Sequence, residues 1–436
     1  MAFDGPVLLK HVPADPAQRK LLRYNDYVAA GGYASYRKAL GMKPEEVVNV
    51  VKDSGLRGRG GAGFPCGVKW TFLPKDVHPR YLAVNYDESE PCTFKDRYLG
   101  EHDPHLLLEG IAIAAYANAI ATSYIFIRGE YHTQADILED AVREAYANGI
   151  FGVKHPGTEI VHNCYVHRGA GAYICGEETG LLEALEGKRG WPRIKPPFPA
   201  VAGAFAKPTI INNVETLACL PFIVENGAAA FKAMGTPSSA GSKLYGISGH
   251  VNKPGVYEDE LGVPLNVLID KHAGGVKGKY KSAFHGGISM GVLGTDQCGA
   301  EMDFDIGKKY GVLGLGTACA TIFNDTTDMV RVARNCVRFY AHESCGQCTP
   351  CREGSAWMAK ILNRMLDGRG RAKDLDLLLE VGLSQGIMPG TTICGLADGT
   401  NWVMKTILQK FRGDFDKYIK SEAVQGVTVT ARGVAV

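Results

Sequence analysis

Short apolar runs alternate with longer segments of helical periodicity through the first half of the chain. The runs at residues 81–86, 123–128 and 160–167 have the length and composition of buried strands. Residues 103–121 and 133–148, which lie between these runs, have apolar positions at helical spacing. Strands that alternate with helices in this way predict an α/β fold with a mainly parallel sheet.

The pattern changes near residues 237–242, which are rich in Pro, Ser and Gly and mark a predicted domain boundary. Short strands and turns after it predict a small α+β module. From Asp328 onward the apolar positions return to helical spacing. The predicted domains are therefore an α/β domain at 1–240, an α+β module at 241–327 and a helical bundle at 328–436.

Composition places the chain among soluble globular proteins. Of its 436 residues, 45% are apolar and 22% are charged, and the formal net charge is +2. This near-neutral balance, without a basic stripe, gives no sign of nucleic-acid binding. No apolar run approaches the roughly 18 residues of a spanning helix, and the N-terminus lacks the basic and apolar blocks of a secretory signal. Twelve cysteines in such a chain indicate metal or redox use in a reducing cytosol.

The strongest chemical signal is a run of three evenly spaced cysteines, Cys345, Cys348 and Cys351. A tight loop with this C-x2-C-x2-C spacing can direct all three sulfur atoms at one point. With a fourth cysteine elsewhere, the pattern is typical of a [4Fe–4S] cluster, and Cys394 is the natural fourth ligand. Zinc usually takes its thiolates as separated pairs, so a zinc site is the weaker alternative, followed by reduced thiols at a helix start.

A glycine-rich segment at residues 55–65 is the second signal. Gly58, Gly60 and Gly63 satisfy G-x-G-x-x-G, but a helix, not a strand, is predicted before them, so the dinucleotide fingerprint lacks its usual context. The segment remains a bare, basic backbone cradle for a phosphate or a flat ring. The alternative is a flexible loop.

Acidic, amide and aromatic side chains form weaker candidates, each with an ordinary structural alternative. Carboxylates after predicted strands can accept hydrogen bonds from ribose or ribityl hydroxyl groups, or can be solvated loop charges. Amides in the segment 210–216, which is predicted to open a helix, can contact a flavin or cap that helix. Aromatic rings can stack on adenine or belong to the core. The candidates are Asp87, Glu88, Glu90, Glu177 and Glu178; Asn212 and Asn213; and Phe64, Phe72 and Phe198.

Six motifs, in one order along about residues 20–420, together resemble the family of FMN-bearing, NADH-oxidising subunits of respiratory complex I. They are residues 55–65, 87–91, 169–179, 195–199, 211–216 and 343–354. The resemblance implies a Rossmann-like flavin domain without the usual fingerprint, a ubiquitin-like (SLBB) module, and a helical bundle that carries a [4Fe–4S] cluster. It also implies FMN as cofactor, NADH as substrate, and hydride transfer to FMN followed by single-electron transfer to the cluster.

The resemblance implies a role for each matching position. FMN and NADH would contact the loop residues Gly58, Arg59, Gly60, Gly61, Ala62, Gly63 and Phe64. The flavin would be lined by Lys69, Asn85, Asp87, Glu88, Ser89, Tyr173, Gly176, Glu177, Ile211, Asn212 and Asn213. Adenine would lie against Phe64, Phe72 and Phe198; Glu90, Glu178 and Lys195 would meet the rest of NADH, with the two glutamates orienting its nicotinamide. The cluster ligands would be Cys345, Cys348, Cys351 and Cys394.

Three residues near the expected flavin depart from the family pattern. Cys66 stands where the family usually has Thr, and Cys92 where it has Gly. They are interpreted as small fillers, with an oxidisable thiol pair as the alternative. Tyr86 replaces the commoner Ala and is expected to narrow the pocket. Arg57 and Arg59 are candidates to stabilise the reduced ring or its phosphate.

The resemblance also implies partners and a location. The partners would be a small thioredoxin-like [2Fe–2S] subunit and a large multi-cluster iron–sulfur subunit. The chain would be cytoplasmic and peripheral to the inner face of the plasma membrane, attached through the complex and without a membrane span. The alternative function is the diaphorase subunit of an NAD-linked hydrogenase or formate dehydrogenase.

Overall fold

A computed structural model describes residues 5–386 and 391–420. Its first sheet has five strands in the order β3-β4-β2-β1-β5. The register pairs β1 with β2 and with β5 in parallel, and β2 with β4 in parallel; the short β3 pairs with β4 in antiparallel orientation. The strands are β1 (Tyr81–Tyr86), β2 (Thr122–Ile127), β3 (Val153–Lys154), β4 (Val161–Arg168) and β5 (Thr209–Asn213).

Twelve helices accompany this sheet within the described residues. α6 is buried along its whole length, because the sheet and neighbouring helices enclose it. The helices are α1 (Tyr24–Ala29), α2 (Ala34–Leu40), α3 (Pro44–Asp53), α4 (Cys66–Trp70), α5 (Lys95–His102), α6 (Pro104–Asn118), α7 (His132–Ala147), α8 (Glu178–Leu185), α9 (Pro199–Ala202), α10 (Val214–Ala218), α11 (Leu220–Asn226) and α12 (Ala228–Lys232).

The predicted helix start at 210–216 is wrong in part. Residues up to Asn213 belong to β5, and the helix begins only at Val214. Asn213 caps this helix by accepting a hydrogen bond from the Glu215 N–H at 3.1 Å. Ile210 and Ile211 are β-branched residues, which favour a strand. Pairing with β1 completes that strand.

A second five-stranded sheet follows, in the order β11-β10-β12-β8-β9. β8 and β9 form an antiparallel hairpin, whereas β12 pairs with β8 in parallel. Its strands are β8 (Ser242–Gly249), β9 (Gly255–Glu260), β10 (Tyr280–Phe284), β11 (Val292–Leu293) and β12 (Ala320–Asn324), preceded by the small pair β6 (Gly235–Thr236) and β7 (Ser239–Ala240). The accompanying helices are α13 (Leu265–Val267) and α14 (Ile306–Tyr310).

The last region is helical. Asp328 caps its first helix by accepting from the Val330 N–H at 2.9 Å. Cys345 and Cys348 lie in the loop after that helix, and Cys351 lies in the first turn of the next one. The helices are α15 (Met329–Glu343), α16 (Thr349–Arg364), α17 (Lys373–Gln385), α18 (Leu396–Lys410) and α19 (Arg412–Asp416). Within the described ranges, no helix is both long enough and apolar enough to cross a membrane.

Residues 7–9, called the Glu258 strap below, are bound to the second sheet. The buried Glu258 carboxylate on β9 accepts hydrogen bonds from the backbone N–H groups of Val7, Leu8 and Leu9 at 2.8–3.0 Å. Ser242 donates a further bond at 2.5 Å. The carboxylate therefore holds residues 7–9 against this sheet.

Candidate functional site

The candidate site lies where the first sheet changes direction. The chain proceeds from β1 to β2 and β4 on one side, and then returns to place β5 on the other side of β1. In open parallel sheets, ligands bind outside the carboxyl ends of strands at such a switch point. Asn85 near the end of β1 and Asn213 at the end of β5 both line a cavity there.

The cavity has a volume of about 590 Å³, within the usual range for ligand pockets. All three regions of the chain contribute to its wall. The first sheet region supplies Arg57, Gly60, Gly61, Ala62, Asn85, Asp87, Glu88, Ser89, Glu90, Thr93, Lys95, Asp96, Tyr173, Ile174, Gly176, Glu177 and Asn213. The second sheet region supplies Gly286, Ser289, Met290, Phe304, Leu313, Gly314, Leu315, Gly316 and Thr317, and the helical region supplies Cys394, Gly395, Leu396 and Asp398.

The glycine-rich loop connects two helices, α3 and α4, as its sequence context predicts. Gly58 N–H donates to the Phe64 carbonyl at 2.8 Å, which closes the loop. Gly60 lies so close to β5 that an added Cβ would be 3.0 Å from Cβ of Asn213. Glycine at this position therefore lets the loop backbone approach the strand end and form part of the cavity wall.

The two loop arginines differ in their surroundings. Arg57 lines the cavity, and its guanidinium lies 4.2 Å from the centre of the Phe304 ring. Arg59 is fully buried, and one guanidinium nitrogen donates to the Ala240 carbonyl at 2.7 Å. Its side chain is directed toward the junction with the second sheet, so Arg57 is the loop arginine at the cavity.

Hydrogen bonds fix the segment that follows β1. The Asn85 amide donates to the Gly176 carbonyl at 2.8 Å, and Ser89 donates to the Asp87 carboxylate. Glu88 accepts from the Asp96 N–H at 2.7 Å and so caps α5. Burial raises the pKa of both Asp87 and Glu88 to about 7.

Glu90 is held by donors from both sheet regions. Its carboxylate accepts from the Tyr173 hydroxyl at 2.7 Å and from Ser289 through the backbone N–H and the hydroxyl, each at 2.8 Å. Burial raises the pKa of Glu90, although these donors oppose the shift. This carboxylate is part of the cavity wall.

Several predicted flavin residues lie behind the wall and support it. The Asn212 amide accepts from the Trp70 indole N–H at 3.0 Å and donates to the Cys66 thiol at 3.5 Å. Lys69 donates to the carbonyl of Ile211 at 2.9 Å. These contacts connect α4 to β5, and none of the residues lines the cavity.

The predicted adenine residues lie outside the cavity, as do Glu178 and Lys195 of the predicted NADH residues, whereas Glu90 lines it. Phe64, Phe72 and Phe198 expose about half of their side chains, and the first two rings are 6.1 Å apart. Lys195 bonds to Glu178 at 2.5 Å and to Glu177 at 3.2 Å. Glu177 also caps α8, through the Thr179 and Gly180 N–H groups.

Sequence reasoning missed a buried ion network that begins in the cavity wall at Lys95 and Asp96. Lys95 bonds to Asp96 at 2.7 Å and to Glu215 at 2.8 Å, and Lys243 bonds to Glu215 at 2.6 Å. Burial would raise the pKa of Glu215, but Lys243, Lys95 and Arg59 outweigh it and lower that pKa to about 2. Lys95 and Asp96 follow the acidic motif by five residues, and this short distance along the chain was the available signal.

The departures from the family pattern occupy separate places. Cys66 is fully buried beside Asn212, and burial raises the pKa of its thiol to about 11. Cys92 has a φ of +75°, a conformation that suits glycine, and it packs against the helical region. Tyr86 does not narrow the cavity, because it is fully buried outside the cavity wall, where its hydroxyl donates to the Asp96 carbonyl at 3.0 Å.

The four predicted cluster cysteines pack in one apolar cluster of the helical region, beside the cavity. The Ile393 N–H donates to the Cys348 thiol at 3.4 Å, and Ser344 contacts Cys351 at 3.3 Å. Cys394 itself lines the cavity. Within residues 5–386 and 391–420, no three His, Cys, Asp or Glu side chains are arranged to hold a single metal ion.

Comparison with known families decides the assignment. Residues 51–221 match the model of the Nuo51 FMN-binding domain, and residues 331–418 match that of the NADH-ubiquinone oxidoreductase-F iron-sulfur binding region. The chain belongs to the family of F-type subunits of NADH-quinone oxidoreductase. Its FMN-binding match spans the first sheet up to the start of α11, and its iron-sulfur match spans the four cysteines.

Relatives among the F-type subunits cover nearly the whole chain. The second F-type subunit of the NADH-quinone oxidoreductase of Rhizobium meliloti (strain 1021) is 49% identical over 95% of this chain and 98% of its own. The mitochondrial NADH dehydrogenase [ubiquinone] flavoprotein 1 of Dictyostelium discoideum is 45% identical over 90% of this chain and 83% of its own. A solved NAD+-reducing [NiFe]-hydrogenase in the air-oxidised state matches 95% of this chain and 67% of its own, with 33% identity and a TM-score of 0.81.

The cavity fits the chemistry of FMN. Seven glycines in its wall leave backbone bare for a flat ring, namely Gly60, Gly61, Gly176, Gly286, Gly314, Gly316 and Gly395. Arg57 and Lys95 provide cations for a phosphate, and Asp87 and Glu177 provide acceptors for ribityl hydroxyl groups.

The cysteine group fits a metal cluster. Burial raises the pKa of the Cys351 thiol, and it raises that of Cys394 to about 12. Cysteine thiols become thiolates when a cation binds them, so a group of one buried and three partly buried cysteines suits an iron–sulfur cluster. A backbone N–H directed at the Cys348 sulfur is a contact that stabilises a thiolate ligand.

Proposed function

We propose that this chain is the NADH-oxidising flavoprotein subunit of an NADH:quinone oxidoreductase. Electrons would enter at the cavity as a hydride from NADH to FMN and leave singly through a [4Fe–4S] cluster on Cys345, Cys348, Cys351 and Cys394. The observation that carries this proposal is that Cys394 belongs both to the cavity wall and to the cysteine group. An electron therefore has a short route from one site to the other.

The residues position the reactants rather than exchange protons with them. FMN supplies two-electron acceptance and one-electron release when bound. The hydrogen bond from Asn85 to Gly176 joins two segments of the cavity wall that would surround the flavin, and Arg57 supplies positive charge there. Glu90 presents a fixed carboxylate for the nicotinamide end of NADH, and Lys195 keeps Glu178 in place. Alignment of the two rings is the main contribution to the rate.

The exposed phenylalanines suit the adenine end of NADH. Phe64, Phe72 and Phe198 are apolar side chains with about half of their surface in solvent. An adenine that stacks among them would bury that surface. We assign Gly58, Gly63 and Arg59 to the structure of the loop, and Lys69, Ile211 and Asn212 to support of the flavin wall.

The finer organisation follows the family. The second sheet region would be its ubiquitin-like SLBB module, and helices α15–α19 its helical bundle. Of the predicted bundle at 328–436, residues 387–390 and 421–436 lie outside the described residues. Partners would be a thioredoxin-like [2Fe–2S] subunit and a large multi-cluster iron–sulfur subunit. These would hold the chain on the cytoplasmic face of the plasma membrane.

A spectrum with metal analysis tests the proposal. The purified protein should show a flavin absorbance that NADH bleaches, and it should contain about four irons per chain, the number in one [4Fe–4S] cluster. Cys394→Ala should keep the bleaching and lose the cluster EPR signal, while Cys298→Ala in the second sheet region should keep both. Colourless protein with bound zinc would refute the proposal, and an intact EPR signal in Cys394→Ala would refute that ligand.

The hydrogenase diaphorase is the second candidate function, because the NAD+-reducing hydrogenase has the same fold over 95% of this chain. Relatives at 45–49% identity favour the quinone-linked complex. Deletion of this chain should abolish NADH:quinone reductase activity in membranes. Loss of H2-dependent NAD+ reduction instead would favour the diaphorase.

A further inference from the structure

Ser289, which neither the motifs nor the family match singled out, lies at the meeting point of the three regions. Its hydroxyl is 2.8 Å from the Glu90 carboxylate and 2.8 Å from the Tyr340 hydroxyl. Its backbone N–H donates to the other Glu90 oxygen at 2.8 Å. Glu90 follows β1, Ser289 belongs to the second sheet region and Tyr340 lies on α15.

The hydrogen bonds that link Tyr340, Ser289 and Glu90 can be assigned one donor and one acceptor each. A carboxylate only accepts, so the Ser289 hydroxyl donates its one proton to Glu90. The serine oxygen then accepts from Tyr340. Tyr173 donates to the same Glu90 oxygen at 2.7 Å. The carboxylate therefore has at least three protein donors and a defined orientation.

The loop around Ser289 is shaped to receive Glu90. Gly287 has a φ of +86°, which favours glycine, and a Cβ there would lie 2.4 Å from Cγ of Glu90. The loop backbone can approach the glutamate only because this side chain is absent. Ser289 and Glu90 both line the cavity.

The same network reaches the cysteine loop. Tyr340 is buried on α15, which ends at Glu343, two residues before Cys345. The Glu343 carboxylate in turn accepts from the Tyr173 N–H at 3.1 Å. The cavity wall and the start of the cysteine loop are thus joined at two points.

We propose that Ser289 is a positioning residue that, together with Tyr340, fixes the Glu90 carboxylate where the nicotinamide end of NADH binds. The inference rests on the proposed NADH oxidation. Without the Ser289 hydroxyl, the Glu90 carboxylate would still lie in the cavity wall but would lose its fixed orientation. The effect is confined to the nicotinamide end, since the exposed phenylalanines proposed for adenine make no part of this network.

The test compares Ser289→Ala with Ser289→Thr in the flavin-loaded protein. Ser289→Ala keeps the backbone N–H contact and removes the hydroxyl, so the KM for NADH should rise about fivefold to tenfold, within the range for loss of one ordinary hydrogen bond. The inhibition constant of ADP-ribose, which lacks nicotinamide, should stay within twofold. Ser289→Thr should restore the KM, because it restores the hydroxyl.

Ser248→Ala is the matched control, because Ser248 lies on β8 and bonds only within the second sheet, to Thr321 at 2.9 Å and to the Ala320 carbonyl at 3.4 Å. It should change neither constant. An unchanged KM in Ser289→Ala, equal weakening of NADH and ADP-ribose, or failure of threonine to rescue would overturn the inference. A wild-type protein that does not oxidise NADH would instead overturn the proposed function, so the two failures are distinct.

Discussion

Glu215 is the shared partner of two buried lysines that come from different regions of the chain. Lys95 opens α5 beside the cavity, and Lys243 lies on β8. All three side chains have at most 1% of their surface exposed. Without this glutamate, Lys243 would lose its buried ion-pair partner, and Lys95 would retain Asp96.

Glu215→Gln should therefore destabilise the protein strongly. Removing one partner of a buried ion pair costs about 3–5 kcal/mol, because the remaining charges stay buried. Urea unfolding followed by circular dichroism measures the loss. Glu301→Gln, which breaks a pair with Lys309 on the surface, should change stability by less than about 0.5 kcal/mol. Equal effects would refute the assigned importance of burial.

His162 should make stability depend on pH. Its ring is fully buried against Ser123, and burial lowers its pKa from 6.5 to about 3. Below pH 6.5 the unfolded chain gains a proton that the folded chain does not bind until about pH 3. This group therefore removes stability as the pH falls, by up to about 1.4 kcal/mol per pH unit.

His162→Gln should make the free energy of unfolding less dependent on pH between about pH 6.5 and 5, by the equivalent of about one bound proton. Urea unfolding midpoints measured at several pH values in this range give the dependence. His342→Gln is the control, because His342 has 84% of its side chain exposed. It should leave the slope as it is. An unaltered slope in His162→Gln would contradict the buried, uncharged state of the ring.

Individual residues show where the sequence was informative. The three evenly spaced cysteines lie in one apolar cluster with Cys394, and their role as cluster ligands stays a prediction. Asn212 and Asn213 looked alike in sequence, yet only Asn213 lines the cavity. Neighbouring strand residues face opposite sides of a sheet, and the strand was not predicted.

At the level of elements, local patterns were sufficient where neighbours in sequence decide the structure. The predicted strand at 81–86 is confirmed at both ends, and the helix predicted from residue 103 begins at Pro104, where Asp103 caps it by accepting from the Leu106 N–H at 3.2 Å. β5 was missed because its five residues become a strand through pairing with β1, more than 120 residues away. The β-branched pair Ile210 and Ile211 was too short a local signal to predict the strand without that pairing.

The buried helix α6 depends on a close approach to α10. A Cβ at Gly110 would lie 2.1 Å from the carbonyl oxygen of Leu217, which is backbone and cannot move aside. Gly110→Ala should therefore lower stability by several kcal/mol, despite the better helix propensity of alanine. Thermal unfolding measures this change.

Gly413 on α19 is a matched control for that substitution, because an added Cβ would meet no atom within 4 Å. Gly413→Ala should raise stability by about 0.5–1 kcal/mol. If both substitutions raised the melting temperature, the close packing of α6 against α10 would be contradicted.

On the scale of the whole molecule, the regions are joined by contacts that no motif predicted. The second sheet region supplies Phe304, Gly316 and Thr317 to the cavity wall, far along the chain from the glycine-rich loop. Docking of separate regions depends on their complementary surfaces, which a linear pattern does not describe. The Glu258 strap is a further example.

Glu258→Gln should release the strap. An amide offers one accepting oxygen and directs an N–H₂ group toward the remaining donors, so residues 7–9 lose part of their anchor. Trypsin should then cleave after Lys10 faster than in the unaltered protein. Glu159→Gln on the surface is the control and should not change the rate. Equal cleavage of both variants would contradict the strap.

The composition of the cavity wall has a consequence for biosynthesis. Its residues extend from Arg57 to Asp398, so most of the chain must leave the ribosome before the wall is complete. At about 5–20 residues per second, roughly 20–70 s separate the emergence of these two residues. We therefore expect a nascent chain to capture its flavin only near the end of translation.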